Sequence, residues 1–559
     1  MINKFFRSKY LLISGIVILY LSVFAPYILY NGFIVDDWGI LYAGSKHASY
    51  FYIFGTYFPF MTFRPLQPLF FSLVVFFKDH AIIYNLINLV FYLGGFFLLA
   101  HLMRCVLGRL YFYIMLMILP FSVISNTWLF SALSLMGSNF SLLLWSLSLL
   151  FLYRHALTNR AIHYIFSYLF ILIGWLIYDQ IIFLTLCNVF FPIYVYFSNH
   201  EYRFKTLVIK IMQYSFPLVI VAAMILSYQR IVVPELGGQN LSRFAFTEHM
   251  FYNIPGNLAI YLGKISLQLP VLLMTSFRYM SIESLWNYVI PVIVMFTCFI
   301  GLVISRRKDS AAGIRFPGLV TGFFILFVFF NFLLFILSGY PFEFGRYLNR
   351  AMHGVWISLA MLMAYLTTRV FHSYVRYLSL LIMVMILLAF ITQRDIYNRS
   401  YQLQRRIMND CITMVNKDKE FKSGGIILAN VPAYFTRNYN NEIIFSQPWD
   451  FGAALALYSK DHIKEAIPFT VQSIREGQVK VINDSVLVNG WWKKRIEGLW
   501  YYEYNIRNQR SELRRINNTD EMKKLLFEEL FLENLNAYNQ PDYERVRVDP
   551  PSWIWNLLR

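Results

Sequence analysis

Charge is what this sequence has least of. Only 14% of its 559 residues are charged while 58% are hydrophobic, against roughly a quarter and a half in an ordinary soluble domain. That excludes a freely soluble globular protein. Cysteine is scarce as well. Cys105, Cys187, Cys298 and Cys411 show no CxxC spacing and no paired framework, which excludes a disulfide scaffold and a structural zinc site. The ten histidines form no HExxH or HxxxH pair, so a histidine metal site is not indicated. There is no GxxxxGK[ST] and no GxGxxG after a strand, so no nucleotide cradle is present. Acidic residues are outnumbered, with a net charge of +18. The excess does not point to nucleic acid, because residues 1–393 hold 25 Lys and Arg against 10 acids while the remainder holds 24 against 21. The surplus therefore belongs to the apolar part, where loop cations set membrane orientation, and no basic stripe with interleaved aromatics lies on a polar segment.

What is present is a series of apolar runs long enough for a bilayer of ~30 Å, which takes ~20 helical residues. They predict spans at about 10–30, 81–103, 111–130, 133–152, 162–179, 181–198, 207–227, 285–304, 316–338, 350–368 and 375–393. The first lacks a small-x-small cleavage site and reads as an uncleaved span. With Met1 on the cytoplasmic side, the inner segments collect 16 of the 25 cations and only Glu201 and Asp309 among the acids. The other eight acids then fall on the outer side. The segment 62–77, broken by Pro65 and Pro68, reads as an interfacial helix. The segment 258–280 reads as juxtamembrane or re-entrant; as a full span it would reverse everything after it.

The fold expected is a polytopic α-helical membrane protein of about 11 transmembrane helices, residues 1–393, with a first outer loop at 31–80 and another at 228–284. Residues 394–559 mix charge, Asn and aromatics and predict a soluble extracytoplasmic α+β domain. Its expected strands are GGIILANV, EIIFSQP and a hairpin in QVKVINDSVLVNGWW turning at Asn483-Asp484. Its expected helices are 400–416 and 520–536.

Ionisable groups beside hydrocarbon are costly and mark function by default. Asp36 and Asp37 follow the first span directly, and Asp179 closes the fifth in LIYDQ. Arg346 and Arg350 lie in the loop GYPFEFGRYLNRAMHG before the tenth span, and Arg64, Lys78 and His80 flank the first loop. Arginine suits phosphate because its planar fork binds two oxygens and keeps its charge; the competing role for these cations is snorkelling to lipid headgroups. Carboxylates and arginines on one face suit displacement at a carbon bearing a phosphate leaving group, with a carboxylate taking the proton of the attacking hydroxyl.

The acidic pair, then FRPLQPLFF, then IIYNLINLVFYLGGFFLLAHL, with YDQ at 178–180 and GRYL at 345–348, resembles membrane glycosyltransferases of the GT-C fold. Protein O-mannosyltransferases and the lipid A aminoarabinose transferase share that architecture. Phe63 stands where the family usually has Tyr, and Asn85 where it usually has His. The resemblance covers roughly residues 1–370. It implies inverting transfer of a single sugar, of glucosyl type, from a polyprenyl-phosphate-linked donor to an O-antigen or other surface glycan acceptor. The reaction would run at the outer face of the cytoplasmic (inner) membrane of a bacterium whose surface carries lipopolysaccharide. It implies Asp36 as general base, Asp37 orienting it or the acceptor, and Asp179 placing the acceptor or a cation. Arg346 would hold the donor phosphate, with Arg64, Lys78, His80 and Arg350 as further phosphate-binding candidates. Some members need a divalent metal (Mg or Mn) and others do not, and the residues leave that open. A lipid-linked glycan flippase and a surface polysaccharide polymerase or ligase are the alternative classes.

Overall fold

The computed structural model describes residues 9–236, 285–305, 317–337, 352–370, 376–432, 444–445, 448–470, 477–505 and 510–529, apart from residue 48, with isolated positions between 256 and 280 and at 374, 473 and 474. Arg346, Arg350, most of the segment 258–280 and the end of the last expected helix lie outside the described residues.

Among the described residues six helices are long and apolar enough to cross a membrane, namely Leu12–Tyr30, Ala81–Leu107, Met136–Thr158, Phe204–Glu235, Trp286–Ile304 and Arg376–Lys417. Hydrophobic length explains them: a helix satisfies its own backbone where no water can. Shorter apolar helices, Ala161–Ile177, Leu186–Asn199 and His353–Val370 among them, pack between the long ones. Labels used below are α1 (Lys9–Tyr30), α2 (Asp36–Lys46), α3 (Ala81–Leu107), α4 (Arg109–Ile118), α5 (Met136–Thr158), α6 (Ala161–Ile177), α7 (Leu186–Asn199), α8 (Phe204–Ser227), α9 (Trp286–Ser305), α10 (Pro317–Leu337), α11 (His353–Val370) and α12 (Arg376–Lys417).

The expected span at 111–130 is not a continuous helix. α4 stops at Ile118, and after an irregular stretch there is a single helical turn, Thr127–Phe130. Pro120 has no amide to continue the ladder, and Ser122, Ser125 and Asn126 offer the backbone side-chain partners instead. Residues 119–136 are nonetheless buried throughout. Irregular backbone at this depth is tolerated only under cover of protein. Here it is held by α3, α5 and α12: Asn88 Nδ2 donates to the Leu129 carbonyl at 2.9 Å, Asn139 Nδ2 to the Trp128 carbonyl at 2.7 Å, and Gln393 Nε2 to the Val123 carbonyl at 3.1 Å.

The expected division at 393/394 falls inside α12, a single 42-residue helix that unites the last span with the helix expected at 400–416. Arg394, fully buried, donates to Asp395 Oδ1 at 2.6 and 2.9 Å and to the Val23 carbonyl at 2.6 Å, so the charge that ends the apolar run does not end the helix.

Beyond α12 lie two sheets. In the first the strand order is β2-β1-β6-β7, with β1 (Gly425–Asn430) parallel to β2 (Ile463–Phe469) and β6 (Trp500–Asn505), and β7 (Arg510–Arg515) antiparallel to β6. The second is the antiparallel meander β3 (Val479–Ile482), β4 (Ser485–Val488), β5 (Trp492–Arg495). Asn483 takes the left-handed conformation, φ 54°, in the expected Asn483-Asp484 turn. EIIFSQP is not a strand where it is described, because Ile444 and Phe445 form a bend and Pro448 opens a helical turn, Pro448–Gly452. One apolar core runs from the first loop into this domain, joining Phe33, Trp38 and Leu41 to Ile407, Ile427, Phe451 and Tyr502.

Candidate functional site

α1 ends at Tyr30, and Asn31 turns the chain. Asn85 Nδ2 on α3 donates to the Asn31 carbonyl at 2.8 Å and the Ile28 carbonyl at 3.3 Å, while Asn31 Nδ2 donates to the Phe130 carbonyl at 3.0 Å. Asn85 therefore caps the exposed carbonyls of α1. Gly32 follows, where a Cβ would lie 2.1–2.3 Å from ring atoms of Tyr401, so only glycine lets the loop pass α12. Val35 then takes φ 45°, ψ −111°. A β-branched residue there is strained, at a cost of order 1–3 kcal/mol.

That turn delivers Asp36 and Asp37 into the first turn of α2, where carboxylates favour the helix dipole. Adjacent helical residues point ~100° apart, and the two acids have different surroundings. Asp37 is fully buried. Its Oδ1 accepts from the Ser134 amide at 2.7 Å and the Ser131 hydroxyl at 3.3 Å; its Oδ2 accepts from the Ile34 and Ala132 amides, both at 3.2 Å. Burial pushes its pKa up to about 6, opposed by the Ser134 and Ile34 bonds and assisted slightly by the charge of Asp36. The irregular segment that replaces the third span is thus what holds this carboxylate. Asp36 is partly exposed, and its charge adds to the burial that raises the Tyr57 hydroxyl above its ordinary value.

The Arg64 side chain is 6% exposed and donates through Nε and Nη2 to Asp179 Oδ1 at 3.0 and 2.5 Å. The guanidinium lies 3.9 Å from the centre of the Tyr178 ring. The segment that carries Arg64 is bonded to the one that holds Asp37: the Gln67 backbone amide donates to the Arg64 carbonyl at 2.9 Å, Gln67 Nε2 donates to the Ser134 carbonyl at 3.1 Å, and the Ser134 amide donates to Asp37. Lys78 and His80 are exposed and stand beside Asp79, which receives the Tyr458 hydroxyl at 3.5 Å.

Three partners escape a motif reading. Ser131 and Ser134 hold Asp37, and His353, at the start of α11, stacks on Trp128 at 3.7 Å with its Nδ1 3.0 Å from the Ser125 hydroxyl. The run of Ser, Asn and Thr from 122 to 141 inside apolar sequence was the available signal. Among the described residues no three His, Cys, Asp or Glu side chains are grouped to hold a metal ion.

The loop is clamped to the domain beyond α12. Trp38 Nε1 donates to Gln404 Oε1 at 2.8 Å and its ring stacks on Tyr401, while Tyr42 donates to Asp461 at 2.8 Å and Lys46 pairs with the same carboxylate. The acidic pair, the Arg64–Asp179 pair and the β-domain consequently occupy one end of the helix bundle. No family model, no curated protein and no solved structure matches this chain.

Proposed function

We propose that this protein is a membrane glycosyltransferase of the GT-C type, with about 11 transmembrane helices and an extracytoplasmic C-terminal domain in a bacterial cytoplasmic membrane. It moves one sugar from a polyprenyl-phosphate donor to a surface glycan. The observation that carries this reading is the treatment of the acidic pair: four donors fix Asp37, which leaves Asp36 at a set position, partly open, at the strained start of α2.

In this reaction the Asp36 carboxylate takes the proton of an acceptor hydroxyl. The hydroxyl oxygen attacks the anomeric carbon, the bond from that carbon to the phosphate oxygen breaks, and the lipid phosphate departs with the electron pair. Inversion follows from attack opposite the leaving group. Arg64 is engaged by Asp179; by the family resemblance, charge stabilisation of the departing phosphate is the part of Arg346.

The test is Asp36→Asn in cells, read by mass spectrometry of the envelope glycan. General-base loss costs roughly 10²–10⁴-fold in rate. Unchanged sugar addition in Asp36→Asn and Asp37→Asn alike, with both proteins inserted and folded, removes the proposed base.

A further inference from the structure

Trp491 and Trp492 are neighbours with opposite fates. Trp492 faces inward, 3% exposed, and donates to Glu465 at 2.5 Å; Trp491 faces outward, 54% exposed. That alternation is the strand period of two. The turn that presents Trp491 is fixed, since Asn489 and Gly490 take left-handed φ values of 54° and 76° and the Asn489 amide donates to the Gln478 carbonyl at 2.7 Å. Trp449, on the helical turn Pro448–Gly452, is 46% exposed and meets Trp491 with ring centroids 6.1 Å apart and planes 22° from parallel.

A single exposed tryptophan needs no explanation. Two from separate elements, brought into contact with their ring planes nearly parallel, form an exposed apolar shelf that gives the fold little by burial. The shelf also adjoins α2. A Cβ on Gly39 would lie 3.2 Å from the Trp449 carbonyl oxygen and 3.8 Å from its Cβ. Gly39 is three residues after Asp36, so the two share a helix face with side-chain origins ~5–6 Å apart. The root of Trp449 therefore stands about one helical turn from the proposed base.

We infer that Trp449 and Trp491 form a carbohydrate subsite that receives pyranose rings of the acceptor glycan beyond the unit that reacts at Asp36. The negative face of an indole suits the C–H face of a pyranose, whose hydrogens carry partial positive charge. A polymeric acceptor requires such a foothold, since binding energy away from the reacting atoms positions those atoms. The assignment rests on the glycosyltransferase reading for the identity of the ligand, but its binding test does not need turnover.

The experiment uses the full-length protein in nanodiscs, probed with a panel of defined neutral and acidic oligosaccharides on an array. Expected is binding by the wild type that falls roughly tenfold in Trp491→Ala and in Trp449→Ala, the loss typical of a truncated tryptophan anchor, and that Trp491→Tyr largely restores. Asp36→Asn should bind as the wild type does. Undiminished binding in the double alanine variant overturns the subsite, and so does a wild type that binds no member of the panel. A spin label at Trp491→Cys, in a Cys105→Ser background, should be reached by a water-soluble nickel chelate. Preferential relaxation by oxygen would place the shelf in lipid and also overturn the assignment. If binding behaves as expected while Asp36→Asn and Asp37→Asn both leave the envelope glycan unchanged, the transferase reading fails and the subsite stands.

Discussion

Replacing Asp37 by Asn tests how its carboxylate is held. The gap between an ordinary Asp at 3.8 and about 6 for Asp37 corresponds to ~3 kcal/mol. Because the folded value is the higher one, the folded state binds the proton more tightly than the unfolded state. Stability is greatest below the unfolded value and falls as pH rises through the folded one. Asn carries no such penalty. It does retain only one acceptor oxygen, and keeping that oxygen on Ser134 and Ser131 turns its NH2 toward the Ile34 and Ala132 amides. Two unmet buried donors cost about 1–3 kcal/mol each. The variant is therefore expected to be less stable than wild type near pH 3, and the gap to close by ~3 kcal/mol between pH 3 and pH 7.5. Reversible detergent unfolding followed by tryptophan fluorescence across that range measures it. A gap that stays constant with pH refutes the reasoning, because the carboxylate would then bear no burial penalty.

Arg64→Met should cost about 3 kcal/mol by leaving the mostly covered Asp179 without its cation, and Asp179→Leu on top of it should recover much of the loss; simple additivity in that double-mutant cycle would contradict the pairing. Gly32→Ala forces its methyl into the Tyr401 ring, an overpacking that costs about 1–3 kcal/mol, visible as a lowered unfolding midpoint that Tyr401→Leu relieves. Asn85→Ala removes the donor that satisfies the Asn31 and Ile28 carbonyls and should cost about 1–3 kcal/mol in the same unfolding measurement; no change would show that water replaces it.

Helices fixed by apolar length alone were legible. The expected first span at 10–30 is Lys9–Tyr30, and the fifth at 162–179 is Ala161–Ile177. The Asn483-Asp484 hairpin was legible because turn chemistry is local. The third span was misread because hydropathy averages over Pro120 and the serines, whereas backbone hydrogen bonding does not. Arg394 ended a hydrophobic run without ending α12, since a buried ion pair and a carbonyl took up its charge. The acidic pair was conspicuous in sequence. Which member is buried depends on Ser131 and Ser134, nearly a hundred positions away, and no local pattern encodes that. Arg64 and Asp179 were each marked as functional, but their union across 115 positions is a product of packing.

A rise of 1.5 Å per residue makes the 42 residues of α12 a rod of ~63 Å, twice the depth of the hydrocarbon layer. A beam that long, apolar along its first half and packed against the β-domain along its second, has no break where the two halves meet. Leaning it by ten degrees would sweep its far tip sideways by ~10 Å, carrying the clamped first loop along. A proline or a glycine pair placed near residue 398 would break the continuity between the apolar half of α12 and the half that holds the first loop.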